Sequence, residues 1–90
     1  MRTIIRRTSQ FKRDVRRMKK QAKDMSKLKE VVGKIVEGEE LEARYRDHVL
    51  VGQYKGTREC HIEGDWLLIY ELAPDEVVLI RTGSHSDLFE

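Results

Sequence analysis

The sequence predicts an α+β domain with elements in the order β-α-α-β-β-β, in which a helical hairpin packs on a small antiparallel sheet. Two observations support this fold class. Apolar residues recur at helical spacing in residues 9–38, and after residue 57 they form short runs bounded by turn residues. The chain has 90 residues with one proline and one cysteine. This length fits one compact unit, so residues 1–90 are treated as a single domain.

The first half predicts one strand and two helices. Residues 3–7 form a short segment that contains β-branched side chains. The next two residues can cap a helix, so the segment is predicted to be the first strand. The first helix has its apolar stripe at Phe11, Val15, Met18 and Ala22. The second helix follows Asp24, ends near Gly38 and has its stripe at Leu28, Val31, Val32, Ile35 and Val36. Both stripes are narrow, so the two helices must lie on an apolar surface that the second half supplies.

The second half predicts a long loop and a three-stranded meander. Residues 39–57 lose their periodicity and predict a connecting loop. Strands are expected over residues 58–62, 66–71 and 77–81, with turns at Gly64 and Pro74. The middle strand is apolar on both faces and is therefore predicted to be central. Residues 84–90 are expected to form a short tail.

The charge is divided unevenly along the chain. Residues 1–38 hold 13 Lys and Arg against 4 Asp and Glu, net +9, whereas residues 39–90 hold 5 against 12, net −7, and together they give +2. Such asymmetry favours a polyanionic partner, with solvated helical faces as the alternative. No apolar run reaches the roughly 20 residues of a membrane span, and the N-terminus does not resemble a signal peptide. We therefore expect a cytoplasmic protein with no membrane partner.

All three histidines lie in the second half, where helical periodicity cannot explain them. His48 lies in the long loop, His61 in the first meander strand and His85 in the tail. Meander pairing could bring them to one sheet edge with Asp65 and Arg81. Imidazoles suit proton transfer near neutral pH, and a guanidinium can stabilise a crowded phosphate, so these residue types suffice for RNA cleavage. The alternative is that the histidines are structural.

No cofactor or metal ion is expected from the sequence. No two histidines have the close spacing that usually anchors a zinc site, and the glycines do not form a phosphate-binding loop. Cys60 is predicted to point inward as a small apolar residue. Aromatic side chains can stack on unpaired bases, and Phe89, Tyr54 and Trp66 are the candidates. For Trp66, which opens an apolar strand, a place in the core is the competing interpretation.

Several segments of the second half resemble the YafQ branch of the RelE/ParE toxin superfamily. They are Asp47-His48, Gly52, Tyr54-Lys55-Gly56 and residues 58–63, 65–70 and 81–89. The first half is similar more loosely, through its basic helical hairpin. The resemblance implies a RelE-like fold and the toxin of a type II toxin–antitoxin pair, an endoribonuclease that enters the 70S ribosome and cleaves mRNA in the A site.

The resemblance also implies roles for individual residues and partners. His48, His61, Asp65 and His85 would supply the acid and base, Arg81 would contact the phosphate, and Phe89 would help to position RNA, while Trp66 matches a position near the groove. The implied partner is an acidic antitoxin of the RelB/DinJ kind, with DNA reached only through it. Two alternatives stay open: a non-nuclease toxin of the ParE type that acts on DNA gyrase, and a module that binds RNA or the ribosome without catalysis.

Overall fold

The computed structural model describes residues 2–89 and contains five strands and three α-helices in that part of the chain. The elements are β1 (Ile4–Arg7), α1 (Ser9–Lys20), α2 (Met25–Val36), β2 (His48–Val49), β3 (Arg58–Glu63), β4 (Trp66–Leu72), β5 (Glu76–Gly83) and α3 (His85–Phe89). The α+β class and the predicted order of the main elements are confirmed.

The five strands form one sheet in the order β1-β5-β4-β3-β2. The meander β3-β4-β5 is antiparallel, as predicted, and β4 is central, with residues 66–70 all buried. The sheet as a whole is mixed, however, because β1 pairs parallel with β5. The prediction of a wholly antiparallel sheet is wrong at this edge. The reason is that β1 and β5 are joined by a crossover through the helices and the other strands, which lets both run in the same direction.

The helical hairpin packs on one face of the sheet and builds the main core. Thr8 caps α1 by accepting the N–H of Phe11 at 3.0 Å, and Asp24 caps α2 by accepting the N–H of Ser26 at 3.0 Å. The predicted apolar stripes are buried at their centres, where Met18 and Val31 are each 1% exposed. No helix within residues 2–89 is both long and apolar enough to cross a membrane.

Two segments are more ordered than the sequence predicts. The loop 39–57 contains two 3₁₀ turns and the strand β2, which pairs with β3 and so extends the sheet. The segment 84–90, predicted as a tail, contains the helix α3 up to Phe89, and residue 90 lies outside the described part. Contacts with the sheet give both segments their order. Neither segment needs a periodic apolar pattern for this, so the spacing of residues along the sequence did not predict it.

The face of the sheet opposite the hairpin carries a smaller apolar cluster. Leu67 and Ile69 of β4 are buried there under Leu88 of α3. Leu50 and Tyr54, from the loop, pack against the same cluster. The loop and α3 therefore cover part of the second face.

Candidate active site

The strand register aligns the candidate residues on the face opposite the helical hairpin. Residues directly opposed across antiparallel strands point to the same face. One such row runs across four strands and consists of His48, Glu59, Ile69 and Arg81. The neighbouring row consists of His61, Leu67 and Gly83. Neighbouring strands are about 4.8 Å apart, so the longer row spans roughly 14 Å.

Glu59 lies between two of the predicted histidines. Its Oε1 atom is 3.5 Å from Nε2 of His48 and 3.6 Å from Nε2 of His61, and the residue is only 6% exposed. The Nδ1 atom of His48 is 2.6 Å from the carbonyl oxygen of Arg46, and because a carbonyl only accepts, this nitrogen donates. Sequence reasoning missed Glu59, although its position two residues before His61 places both on one strand face.

Arg81 is held by a carboxylate of α1. Its Nε donates to Oδ2 of Asp14 at 2.9 Å and its Nη2 donates to Oδ1 at 3.0 Å. The hydrogen bonds to Asp14 raise the pKa of Arg81 above its usual value. Burial by itself would raise the pKa of Asp14, but the hydrogen bonds from Arg81, Thr82 and Gln10 lower it below the usual value. Sequence reasoning also missed Asp14. An acidic residue on the apolar stripe of a basic helix, between Phe11 and Met18, was the feature that could have identified it.

His85 is the first residue of α3, and Asp65 holds that end of the helix. Oδ1 of Asp65 accepts the backbone N–H of His85 at 3.0 Å. Ser84 and Asp87 also cap each other's backbone N–H groups, at 3.0 and 3.1 Å. Gly83 precedes the helix, and an added Cβ there would be 2.7 Å from Nη2 of Arg17 and 3.0 Å from Oδ2 of Asp87. These are the ends of flexible side chains, and it is the φ angle of +157° that favours glycine where β5 passes into α3.

Three rings line the end of α3. The ring centroids of His85 and Phe89 are 4.9 Å apart, and Tyr54 meets Phe89 edge-on at 5.6 Å. The Tyr54 hydroxyl donates to the carbonyl of Leu88 at 3.3 Å, which ties the loop to the helix. Phe89 is 37% exposed, so part of its ring is open for contact with a base.

Two residues that sequence analysis considered for this region lie in the core. Trp66 is 1% exposed, and its indole N–H donates to Oγ1 of Thr82 at 2.9 Å. It has no open face on which a base could stack, so the competing interpretation, a place in the main apolar core, fits the structure and direct stacking on substrate does not. Cys60 is fully buried, and burial raises the pKa of its thiol to about 12. A thiol of this kind is not a nucleophile at neutral pH.

The predicted site residues thus fall into three contact groups on one side of the molecule. His48 and His61 share Glu59, Arg81 is paired with Asp14, and His85 is joined to Asp65 and Phe89. Within residues 2–89, no three His, Cys, Asp or Glu side chains are arranged to hold a metal ion. The arrangement brings imidazoles, carboxylates and a guanidinium to one partly open surface, a combination suited to proton transfer near a phosphate.

Comparisons with known proteins agree with this architecture. Residues 3–90 match the family model described as the bacterial toxin of type II toxin–antitoxin system, YafQ. The mRNA interferase toxin YafQ of Escherichia coli K12 is 41% identical over 83 residues, which cover 91% of this chain and 90% of that protein.

Two solved structures are similar over the full length. The crystal structure of YafQ from E. coli BL21(DE3) has a TM-score of 0.93 at 38% identity, covering 100% of both chains. YafQ in the E. coli DinJ–YafQ toxin–antitoxin complex has a TM-score of 0.91 at 38% identity, again covering 100% of both chains. The family match spans nearly the whole chain, and the fold agrees with it throughout. The chain therefore belongs to the YafQ family of toxins from bacterial type II toxin–antitoxin systems.

Proposed function

We propose that this toxin is an endoribonuclease that cleaves mRNA in the ribosomal A site by metal-independent acid–base catalysis. The observation that carries the proposal is the placement of His48, His61, His85 and Arg81 on one partly open side of the sheet. Membership of the YafQ family supports the toxin function, and the E. coli relative is an mRNA interferase. Inhibition of translation would follow from loss of the message.

The reaction needs one base, one acid and one cation. The base removes the proton of the ribose 2′-OH, whose oxygen attacks the neighbouring phosphorus. The bond from phosphorus to the 5′ oxygen then breaks, and the acid gives that oxygen its proton. This leaves a 2′,3′-cyclic phosphate and a 5′-hydroxyl. In the proposal His85 takes one proton-transfer role, and the other comes from His48, His61 or Asp65. Arg81 stabilises the charge that develops on the phosphate.

Holding the RNA is shared between the toxin and the ribosome. A chain of 90 residues has little interior in which to enclose a substrate. The ring of Phe89, supported by Tyr54, offers a stacking surface for one base. The exposed basic side chains of α1 suit contacts with ribosomal RNA. We therefore assign substrate binding mainly to the ribosome and the chemistry to the toxin.

The proposed regulatory partner is an acidic antitoxin of the RelB/DinJ kind. YafQ of E. coli forms a complex with DinJ, and its chain in that complex covers the whole of this one. The net charge of +9 in residues 1–38 is complementary to an acidic, partly disordered partner that folds as it binds. Any contact with DNA would be made through that partner.

The proposal is tested by cleavage of a defined mRNA on 70S ribosomes. Toxin freed of metal with a chelator and then desalted is mixed with programmed ribosomes, and the RNA ends are mapped. We expect cuts in the A-site codon with 5′-hydroxyl ends, and no cutting of the same mRNA without ribosomes. His85→Ala should slow cleavage by roughly a hundred- to ten-thousandfold, the usual value of one proton-transfer group.

Ser86→Ala is the matched control, because Ser86 is the exposed neighbour of His85 on α3 and has no proton-transfer group in the proposal. It should cleave at the wild-type rate. Full activity of His85→Ala would contradict the assigned chemistry. The ribosomes themselves require Mg²⁺, so loss of cleavage in the metal-freed toxin in magnesium buffer, restored by an added transition-metal ion, would contradict the absence of a bound catalytic metal. Toxicity without RNA cleavage but with DNA damage would indicate the gyrase alternative.

A further inference from the structure

Asp14 is a charged residue on the buried side of α1, where an apolar side chain is expected. It lies on the inward face of α1 between Phe11 and Met18, and it is 0% exposed. A buried carboxylate is strongly unfavourable unless donors surround it. The partners that keep Asp14 charged therefore indicate what the residue does in the fold.

Part of this network forms hydrogen bonds with the backbone at the edge of the sheet. The pairing of β1 with β5 stops at Leu79, which leaves the backbone of Thr82 at an open edge. Asp14 accepts the N–H of Thr82 at 3.1 Å, and Arg17 donates to the carbonyl of Thr82 at 3.2 Å. The side chains of α1 thereby take the place of a neighbouring strand, and this explains one acceptor of Asp14.

Arg81 contacts Asp14 at two points, in addition to the single hydrogen bond that Nη1 of Arg17 donates to Oδ1 at 3.0 Å. Both oxygens of Asp14 accept from the same guanidinium, at 2.9 Å from Nε and 3.0 Å from Nη2. A two-point fork fixes the plane and the direction of a guanidinium. The other terminal nitrogen, Nη1, is not bonded to Asp14, and the Arg81 side chain is 20% exposed. Tyr54 also contributes to the raised pKa of Arg81, so the donors outside the fork lie near Tyr54 on a partly exposed side chain.

We infer that Asp14 is a positioning residue for the reaction: it holds the guanidinium of Arg81 so that the terminal nitrogen outside the fork meets the phosphate as charge develops on it. The inference rests on the proposed function, since it assigns no chemistry to Asp14 itself. A cation fixed before the reaction stabilises the transition state more than one that must be reoriented.

A double-mutant cycle tests the inference in single-turnover cleavage of ribosome-bound mRNA. The four proteins are the wild type, Asp14→Asn, Arg81→Ala and the double variant. Asparagine has nearly the same shape as aspartate, but it is uncharged and has only one acceptor oxygen. It therefore cannot accept hydrogen bonds from Arg81 through two oxygens. We expect Asp14→Asn to lower the maximal rate by roughly 10- to 100-fold, with the toxin concentration for half-maximal rate changed less than about twofold. The double variant should be no slower than Arg81→Ala, because the two substitutions remove the same effect, the oriented guanidinium.

Gln10→Ala is the matched control, since Gln10 Nε2 also donates to Asp14, at 3.2 Å, without touching Arg81. It should keep the wild-type rate. A folded Asp14→Asn variant with the wild-type rate, or effects that multiply in the double variant, would overturn the inference. Wild-type toxin that fails to cleave would instead overturn the proposed function, and the positioning role with it.

A second variant decides the question if Asp14→Asn does not fold. Arg81→Lys keeps the positive charge but cannot form a two-nitrogen fork with Asp14. If orientation matters, its maximal rate should fall nearly as far as that of Arg81→Ala. If Arg81→Lys keeps most of the wild-type rate, charge alone is sufficient and the positioning role is rejected.

Discussion

At the scale of single residues, a carboxylate lies beside each candidate residue or anchors its backbone. Glu59 lies between His48 and His61, Asp14 forks with Arg81, and Asp65 accepts the N–H of His85. Imidazole and guanidinium groups on a partly open surface would otherwise sample several rotamers. Asp14 restricts that freedom for Arg81 before substrate arrives, and Glu59 does so for His48 and His61, which lowers the entropic cost of reaching the reactive geometry.

Trp66→Phe separates a packing role from a substrate role. The change removes the indole N–H that donates to Thr82 and leaves unfilled volume in a site that is 1% exposed. We expect the free energy of unfolding to fall by about 1–3 kcal/mol in urea denaturation, from the lost hydrogen bond and the cavity. Cleavage per folded molecule should stay within about threefold of wild type, whereas a base-stacking role would reduce it much further.

The lowered pKa of Asp14 predicts how stability depends on pH. Because the pKa of the folded form lies below the ordinary value of 3.8, the charged carboxylate stabilises the fold above pH 3.8, and that contribution is lost as the pH falls through the folded pKa. Urea unfolding of wild type and Asp14→Asn at several pH values measures it. Their difference in unfolding free energy should be largest near neutral pH and shrink below pH 3.8. A difference that grows in acid would contradict the assignment.

At the scale of elements, short segments depend on the sheet for their order. The helix α3 has five residues, which is too short to persist alone in water. It is held by Leu88 in the second apolar cluster and by Asp65 at its first residue. The strand β2 has two residues and exists through its pairing with β3. These segments carry His48, His85 and Phe89, so the site depends on tertiary contacts rather than on local propensity.

Substitutions of Asp65 distinguish a capping role from an acid–base role. Asp65→Ala removes the acceptor of the His85 N–H and should cost about 0.5–2 kcal/mol, as for other helix caps, and speed amide exchange at Leu88. Asp65→Asn keeps an acceptor and should restore slow exchange. If Asp65 only positions α3, Asp65→Asn also restores cleavage on ribosomes. If Asp65 transfers a proton, cleavage stays low although the helix is intact.

At the scale of the whole molecule, the basic half of the chain forms the helical layer and one edge strand, and the acidic half forms the rest of the sheet. The helical hairpin and β1 belong to the half with net charge +9, and the rest of the sheet belongs to the half with net charge −7. The exposed cations of α1 are Lys12, Arg13, Arg16, Lys19 and Lys20. A basic layer of this kind attracts a polyanion over a distance of about one Debye length, roughly 8–10 Å in physiological salt.

Neutralising two of these cations should weaken ribosome binding in a salt-dependent way. Lys12→Gln with Arg16→Gln is expected to lower affinity and to flatten the slope of log affinity against log salt by roughly 1–2, if both side chains contact phosphates. Lys34→Gln with Arg44→Gln is the matched control, because both cations are already paired with Glu42. Binding by filter retention over a salt series measures both. Equal effects of the two pairs would argue against α1 as the contact surface.

Patterns in the sequence were sufficient to predict the class of the fold and the central strand, and to propose the residue types of the candidate site. Helical periodicity located α1 and α2, and short apolar runs bounded by turn residues located the meander. The motifs that contain His48, His61, Asp65, Arg81 and His85 identified the family. The direction of β1, the order in the loop and in α3, and the burial of Trp66 were decided only by tertiary structure.

The physical reason is that these features depend on contacts between residues far apart in the chain. Arg81 and Asp14 are 67 positions apart, and the aligned row from His48 to Arg81 exists only after four strands have paired. A sequence pattern reports local spacing, whereas the partner of a buried charge is chosen by the packing of the whole molecule. The residues proposed for the chemistry were therefore identified from the sequence, and the carboxylates beside them, Glu59 and Asp14, were visible only in the fold.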